Sequence, residues 1–202
     1  MPGYEAVLFD FDGVLVDSEP VHHACWAEVV RPFGVDLDWT SYSRDCIGVA
    51  DRAMIETLCA KRDPPVPFDL LWAEYPRKKQ LFRARMCSAD AVSREVRDLL
   101  QVLGSYRLAV VTSSGRSEVE PILAAAGILQ LLETVVYGED VQRLKPAPDP
   151  YLLAAARLGV KRALVVEDSA AGVASGRAAG FEVFVVDTAA RMPERLRAHL
   201  KI

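Results

Sequence analysis

Acidic and hydroxyl side chains recur at one kind of place in this chain, where a short apolar run gives way to polar residues. Asp10 and Asp12 follow AVLF, Thr112 with Ser113 and Ser114 follows LAVV, and Glu167 with Asp168 closes RALVVED. One acidic residue after a strand has an ordinary use as a helix cap. Two pairs on separate strands do not, because four crowded carboxylates repel unless a cation or protons offset them. Mg²⁺ suits such an all-oxygen, carboxylate-rich set. Lys145 stands in LKPAPDPY, where two prolines on its carboxyl side stiffen the loop and hold the amine in one place. Thr112 adds a hydroxyl, and the backbone N–H groups of the turn after it favour a phosphate. An attacking oxygen, a metal, a fixed ammonium and donors for equatorial oxygens are the parts that phosphoryl transfer needs.

Holding these residues together takes a sheet. Five apolar runs, at 6–9, 107–112, 133–138, 162–168 and 182–187, suit strands buried on both faces. Helical stretches lie between them: 116–126 stops at Gly127, 148–158 at Gly159 and 170–179 at Gly180, each a fitting residue for a helix end. Asp149-Pro150 suits the first turn of the second of these. Strands alternating with helices predict an α/β fold, a doubly wound parallel sheet with right-handed crossovers. Ligands of such sheets bind outside the carboxyl ends of the strands, which is where the polar residues fall. The gap between the first two strands, about 14–105, far exceeds the dozen or so residues a crossover needs. Residues 18–31, 51–61 and 69–86 read as helices there, punctuated by Gly34, Gly48 and Pro64-Pro65-Val66-Pro67. Residues 92–103 read as the helix entering the second strand. The expected organisation is a core of 1–14 and 89–202 interrupted by a helical subdomain of 15–88.

Composition narrows the partners. The 202 residues carry 24 Lys and Arg against 28 Asp and Glu, a net charge of −4, so no positive field draws nucleic acid or an anionic membrane. The first 14 residues hold Glu5, Asp10 and Asp12 and no basic residue, so most of the excess falls around the acidic pair. No apolar stretch approaches the ~18 residues of a membrane-spanning helix, and the first apolar run breaks at Asp10, so no secretory leader is expected. All four Cys and all three Trp lie between residues 25 and 87, with no CxxC spacing. Four buried thiols in a reducing cytoplasm are expected, the Cys and Trp marking a small core within the inserted subdomain.

DFDGVLVDS (10–18), VVTSS (110–114), Lys145 in LKPAPDPY and VVEDSAAGVASGRAAG (165–180), in that order, resemble the haloacid dehalogenase superfamily. The insertion after the first motif, with DSEPVHHACW (17–26) at its start, is similar to the α-helical cap of the β-phosphoglucomutase and phosphoglycolate phosphatase subfamily. The resemblance implies a five-stranded Rossmann-like sheet in the order 3-2-1-4-5. It implies Asp10 as the nucleophile that forms an aspartyl-phosphate, and Asp12 as the acid for the leaving group and then the base for water. Mg²⁺ would be held by Asp10, the Asp12 main-chain carbonyl and Asp168, with Glu167 as a further ligand or support. Thr112, Ser113 and Lys145 would hold the transferring phosphoryl group. Asp12 argues against dehalogenase chemistry, since a halide leaves without a proton. A receiver domain would be shorter, without a cap and with its acidic pairs in another order.

Within the cap, His22, Gly48, Arg52, Arg77 and Lys78 are the candidates for substrate contact. His23, its neighbour on the helix, is expected at the surface. Arg77, Lys78, Lys79, Arg83 and Arg85 are five basic residues in 76–88 with no acidic one; most are expected on a solvated face, one or two toward an anionic substrate. IGVADR departs from the mutases, which carry a basic residue sooner after the glycine. The expected function is a Mg²⁺-dependent, cytoplasmic phosphatase acting on a small phosphorylated metabolite, as a monomer or weak dimer. A phosphosugar mutase and a non-catalytic scaffold for phosphorylated ligands are the alternatives.

Overall fold

The computed structural model describes residues 3–47 and 49–202, so Gly48 lies outside the described residues. The chain divides into two compact units, one of Met1–Asp17 with Cys87–Ile202, the other of Ser18–Met86.

The first unit is built on five strands, β1 (Ala6–Phe9), β2 (Arg107–Val111), β3 (Thr134–Val136), β4 (Ala163–Glu167) and β5 (Glu182–Val185). They form one all-parallel sheet in the order β3-β2-β1-β4-β5, as the motifs implied. β1 and β4 are buried along their whole length, which fits their continuous apolar sequence. The two edges differ from the expectation of strands buried on both faces: β3 is only half-buried over most of its length, and β5 is half-buried with both ends exposed. An edge strand has a neighbour on one side only, so Phe184 and Val183 gain less cover than Leu8 or Val165.

Among the described residues, ten helices accompany the strands. In chain order they are α1 (Glu19–Val30), α2 (Trp39–Asp45), α3 (Asp51–Ala60), α4 (Phe68–Trp72), α5 (Tyr75–Met86), α6 (Arg94–Val102), α7 (Arg116–Ala125), α8 (Asp149–Leu158), α9 (Ala170–Ala178) and α10 (Met192–Leu200). The last five belong to the sheet unit. Ala6, Leu8, Ala109, Val111, Val136 and Val165 on one sheet face pack with Tyr151, Ala154 and Leu158 of α8. Burying side chains of this kind contributes about 1.5–3 kcal/mol each, so this layer fixes the base on which the strand ends are presented.

The second unit has its own core of Trp26, Val29, Val30, Tyr42, Cys46, Met54, Ile55, Cys59 and Leu71, among others. The stretch 69–86 is two helices rather than one: α4 ends at Trp72, and α5 begins at Tyr75. Trp72 and Tyr75 stack across that break at 4.6 Å between ring centroids, so the aromatic packing favours the kink over a continuous helix. The four cysteines are free; Cys25, Cys46 and Cys59 are buried, while Cys87 is only half-buried. Among the described residues no helix is long and apolar enough to cross a membrane.

Candidate active site

Strand register brings the polar residues to one end of the sheet. Phe9 is level with Val110 on one side and Val166 on the other. The next residue, Asp10, therefore comes level with Val111 and Glu167, and its N–H continues the ladder by donating to the Val166 carbonyl at 2.9 Å. Lys145, from the loop before α8, reaches into this row. Its ammonium donates to Asp10 Oδ1 at 2.7 Å, to Glu167 Oε1 at 2.6 Å and to the Val111 carbonyl at 2.9 Å. Three acceptors match the three protons of an ammonium group, so the amine is held as the prolines after it suggested.

Glu167 is fully buried. Its Oε1 also accepts from the Tyr151 hydroxyl at 2.7 Å, and its Oε2 from the Asp168 N–H, the Ser169 N–H and the Ser169 hydroxyl at 3.1–3.2 Å. Five donors on one carboxylate offset the cost of burying it. Ser169 does a second task, since its hydroxyl accepts from the Gly172 N–H at 3.0 Å and caps α9. The helix after β4 thus starts where it does because the same serine closes both networks.

Asp12 is placed differently from the simple alternation of a strand. β1 ends at Phe9, and the chain turns through Gly13 at φ +74°, closing with Gly13 N–H donating to the Val16 carbonyl at 2.8 Å. The left-handed conformation suits glycine, and the site demands it twice, because a β-carbon there would collide with the Asp168 carboxylate. The Ser114 hydroxyl donates to Asp12 Oδ2 at 3.3 Å. Thr112 is buried, and its hydroxyl accepts the Ser114 N–H at 3.0 Å. Ser113 between them is exposed.

The charges leave a characteristic imprint. Burial pushes the Asp10 carboxyl up to about 7; Lys145 pulls the other way, and Glu167 adds to the rise. Asp168 is pushed up to about 6, first by burial of its carboxylate and then by Glu167, although the residue as a whole is exposed. Burial alone would lower the Lys145 amine, but Asp10 and Glu167 outweigh it and hold the ammonium above its ordinary range. A carboxylate cluster with raised values is one that a cation would relieve. Carboxylate oxygens of Asp10, Glu167 and Asp168 all lie within 4.8 Å of one another. That all-oxygen donor set fits a divalent metal, and Mg²⁺ in particular takes few carboxylates and keeps its waters. The Glu167 oxygens already accept from five donors. The Asp12 carboxylate is not part of this cluster.

In the helical unit, His22 and Lys78 come together: the Lys78 amine lies 2.8 Å from His22 Nδ1, and the imidazole stacks on Phe82 at 3.9 Å between centroids. Lys78 is 1% exposed, unlike a residue of a solvated face, and stands 3.8 Å from Asp51 and over the Trp26 ring at 5.3 Å. Burial first, then the Lys78 charge, pushes His22 down to about 3, so the imidazole is neutral at pH 7. Arg77 is exposed and faces Glu28 and Glu74 at 3.4–3.5 Å. Arg52 pairs with Glu56 at 3.3 Å and lies over Phe68 and Trp72. Neither arginine joins the His22–Lys78 group. His23 is not a plain surface residue: its Nε2 lies 2.8 Å from the Leu37 carbonyl, and the ring packs on Trp39 and Tyr42.

Sequence reasoning did not single out Tyr151 or Ser169 as individual parts of the network. Tyr151 and Ser169 were visible only as members of the runs LKPAPDPY and VVEDSAAG. Hydroxyl-bearing residues one or two positions after an acidic strand end, or one helical turn into the next helix, are the signal that would have drawn attention to them.

Comparison with known proteins follows the same residues. A family model for haloacid dehalogenase-like hydrolases matches residues 7–186. The fructose-1-phosphate phosphatase YqaB of Escherichia coli (strain K12) is 31% identical over 188 residues, covering 89% of this chain and 94% of that protein. The validoxylamine A 7'-phosphate phosphatase of Streptomyces hygroscopicus subsp. limoneus is 36% identical over 182 residues, covering 88% and 83%. Among solved structures, CbbY from Rhodobacter sphaeroides in complex with phosphate superposes with a TM-score of 0.71 at 28% identity, covering 90% of this chain and 85% of that one.

Proposed function

The chain belongs to the haloacid dehalogenase-like hydrolase family, a phosphatase like its curated relatives, and from that premise we propose that it hydrolyses small phosphorylated carbohydrates through an aspartyl-phosphate on Asp10 with Mg²⁺ as cofactor. One observation carries the reading: the Asp10 carboxylate sits at the end of the central strand, held by Lys145 at 2.7 Å and clustered with Asp168 and Glu167. The names of the fructose-1-phosphate and validoxylamine 7'-phosphate phosphatases support a polyhydroxylated substrate.

Asp10 attacks phosphorus, and the ester bond to the leaving oxygen breaks. Asp12 gives that oxygen its proton and then takes one from the water that cleaves the acyl phosphate, which is why an acid must stand beside the nucleophile without sharing its cluster. Lys145, the Thr112 hydroxyl and the Ser113 N–H bind the equatorial oxygens. Mg²⁺ would be held by Asp10, Asp168 and the Asp12 carbonyl, and would supply charge to offset the phosphate and carboxylate repulsion. Glu167 fixes Lys145 rather than binding the metal directly. Substrate choice is assigned to the helical unit, with His22, Lys78, Arg52 and Arg77 as its candidates.

Phosphate release from a panel of sugar phosphates with Mg²⁺, compared with an Asp10→Asn control, tests this. Release by the wild type well above the control is expected; equal release would overturn the proposal. Conversion of β-glucose 1-phosphate to the 6-phosphate in the presence of a bisphosphate primer, without net release, would make the protein a mutase instead.

A further inference from the structure

Tyr151 has no part in the chemistry described above, yet it touches two of its members. It is fully buried on the first turn of α8. Its hydroxyl donates to Glu167 Oε1 at 2.7 Å, the same oxygen that accepts from Lys145 at 2.6 Å. Its ring faces the Lys145 ammonium, 5.1 Å from centroid to Nζ. One residue thus contacts the ammonium directly and also holds its counter-ion.

We propose that Tyr151 is a positioning residue for phosphoryl transfer: its hydroxyl shares Glu167 Oε1 with Lys145 and so sets where the ammonium stands relative to Asp10. The inference rests on the phosphatase reading. All three Lys145 protons are engaged, by Asp10, Glu167 and the Val111 carbonyl. An arriving phosphoryl group needs one of them, and the one released is that on Asp10, whose oxygen must attack. The Val111 carbonyl is fixed by the sheet. Glu167 is a side chain, and Oε1 keeps its distance from Lys145 only while a second donor balances it. Without the Tyr151 hydroxyl, Oε1 carries its charge toward Lys145 alone and draws the ammonium away from the attacking oxygen and the phosphoryl group.

Tyr151→Phe isolates the hydroxyl, since the ring and its contact with Lys145 remain and the volume is nearly unchanged. With Mg²⁺ and p-nitrophenyl phosphate, kcat is expected to fall about 10- to 100-fold, the usual scale for a misplaced catalytic group. KM is expected to stay within about twofold, as for an interaction made in the transition state only. Inhibition by vanadate, which takes the five-coordinate geometry, weakens by the same factor as kcat, while inhibition by inorganic phosphate does not change. A merely structural role would lower the active fraction and leave both inhibition constants alone. In a Glu167→Gln background the further loss from Tyr151→Phe shrinks to about twofold or less, because the residue acts through Glu167. A Tyr151→Phe kcat within about twofold of wild type, or full additivity with Glu167→Gln, would overturn the inference alone. Wild-type release no greater than that of Asp10→Asn would overturn the phosphatase reading and this inference with it.

Discussion

Gly172 lies against the Glu167 carboxylate so closely that a β-carbon at 172 would occupy the same space as both carboxylate oxygens. Alanine in a helix interior is ordinarily favoured over glycine by up to about 1 kcal/mol. Here the collision outweighs that gain, because Glu167 is buried and tied to five donors and cannot step aside. Gly172→Ala is expected to destabilise the fold by about 1–3 kcal/mol, the scale of overpacking. A urea midpoint equal to or above wild type would show that Glu167 moves freely.

Lys145→Met removes the ammonium between Asp10 and Glu167 while keeping an apolar stem. Breaking a buried pair by deleting one partner costs about 3–5 kcal/mol, less whatever protonation of the two carboxylates recovers. The destabilisation should therefore be larger at about pH 8 than at about pH 5, where Asp10 accepts a proton. Denaturant melts at the two pH values decide it, and an equal loss at both would mean the carboxylates are relieved in another way.

Asp10 gives the metal-free protein a pH dependence of definite sign. Its value in the fold, about 7, stands above the ordinary 3.8, so the folded state binds more protons than the unfolded one between those limits. The contribution of Asp10 to stability is therefore greatest below that window and falls as pH rises through it. Asp168 behaves alike up to about 6. With chelator present, wild type should lose more in Tm between about pH 5 and about pH 8 than Asp10→Asn does. Mg²⁺ should restore much of the difference and bind more tightly at the higher pH, where protons no longer compete. Identical pH responses of the two proteins would contradict this.

Asp12, engaged by the Ser114 hydroxyl, should carry general acid catalysis. Asp12→Asn is expected to lower kcat about 10²- to 10⁴-fold on an alkyl phosphate. The deficit should shrink with p-nitrophenyl phosphate, whose leaving group departs without a proton. His22→Ala should cost far less on either ester. Comparable losses for the two variants would place the acid elsewhere.

Lys78→Met tests the helical unit without reference to turnover. Burial and the Lys78 charge together hold His22 near 3. Removing the charge leaves only the burial, so the imidazole should titrate at higher pH, readable from its ring proton resonances. An unmoved titration would mean that the His22–Lys78 contact does not persist in solution.

The central strands and the polar residues at their ends were legible because both signals are local: AVLF ending at Asp10, or LVVE ending before Asp168, needs no knowledge of neighbours. Strand order came with the motifs and their resemblance, not from periodicity. What lay beyond reach was set by three-dimensional contact. Phe184 is as apolar as Phe9, yet only the sheet order makes one an edge residue and the other central. Lys78 stands out in PRKKQ only as a candidate for substrate contact; its burial among His22, Asp51 and Trp26 from two other helices shows only in the fold. The break between Trp72 and Tyr75 depends on which ring each aromatic finds. The polar, aromatic pattern of residues 39–45 shows no helical stripe, yet Asp38, whose carboxylate accepts the Ser41 N–H at 3.0 Å, starts a helix there all the same.

The pairing of β1 with β2 and β4 carries a consequence for synthesis on the ribosome. Ala6 must wait for Arg107 before it has a partner on one side, and for Ala163 before it has one on the other. At translation rates of about 5–20 residues per second the first of these waits lasts on the order of 5–20 s. For that time the strand that will be the centre of the sheet, and the nucleophile behind it, is an apolar segment with bare hydrogen-bonding groups on both edges. The helical unit, Ser18–Met86, emerges during the wait.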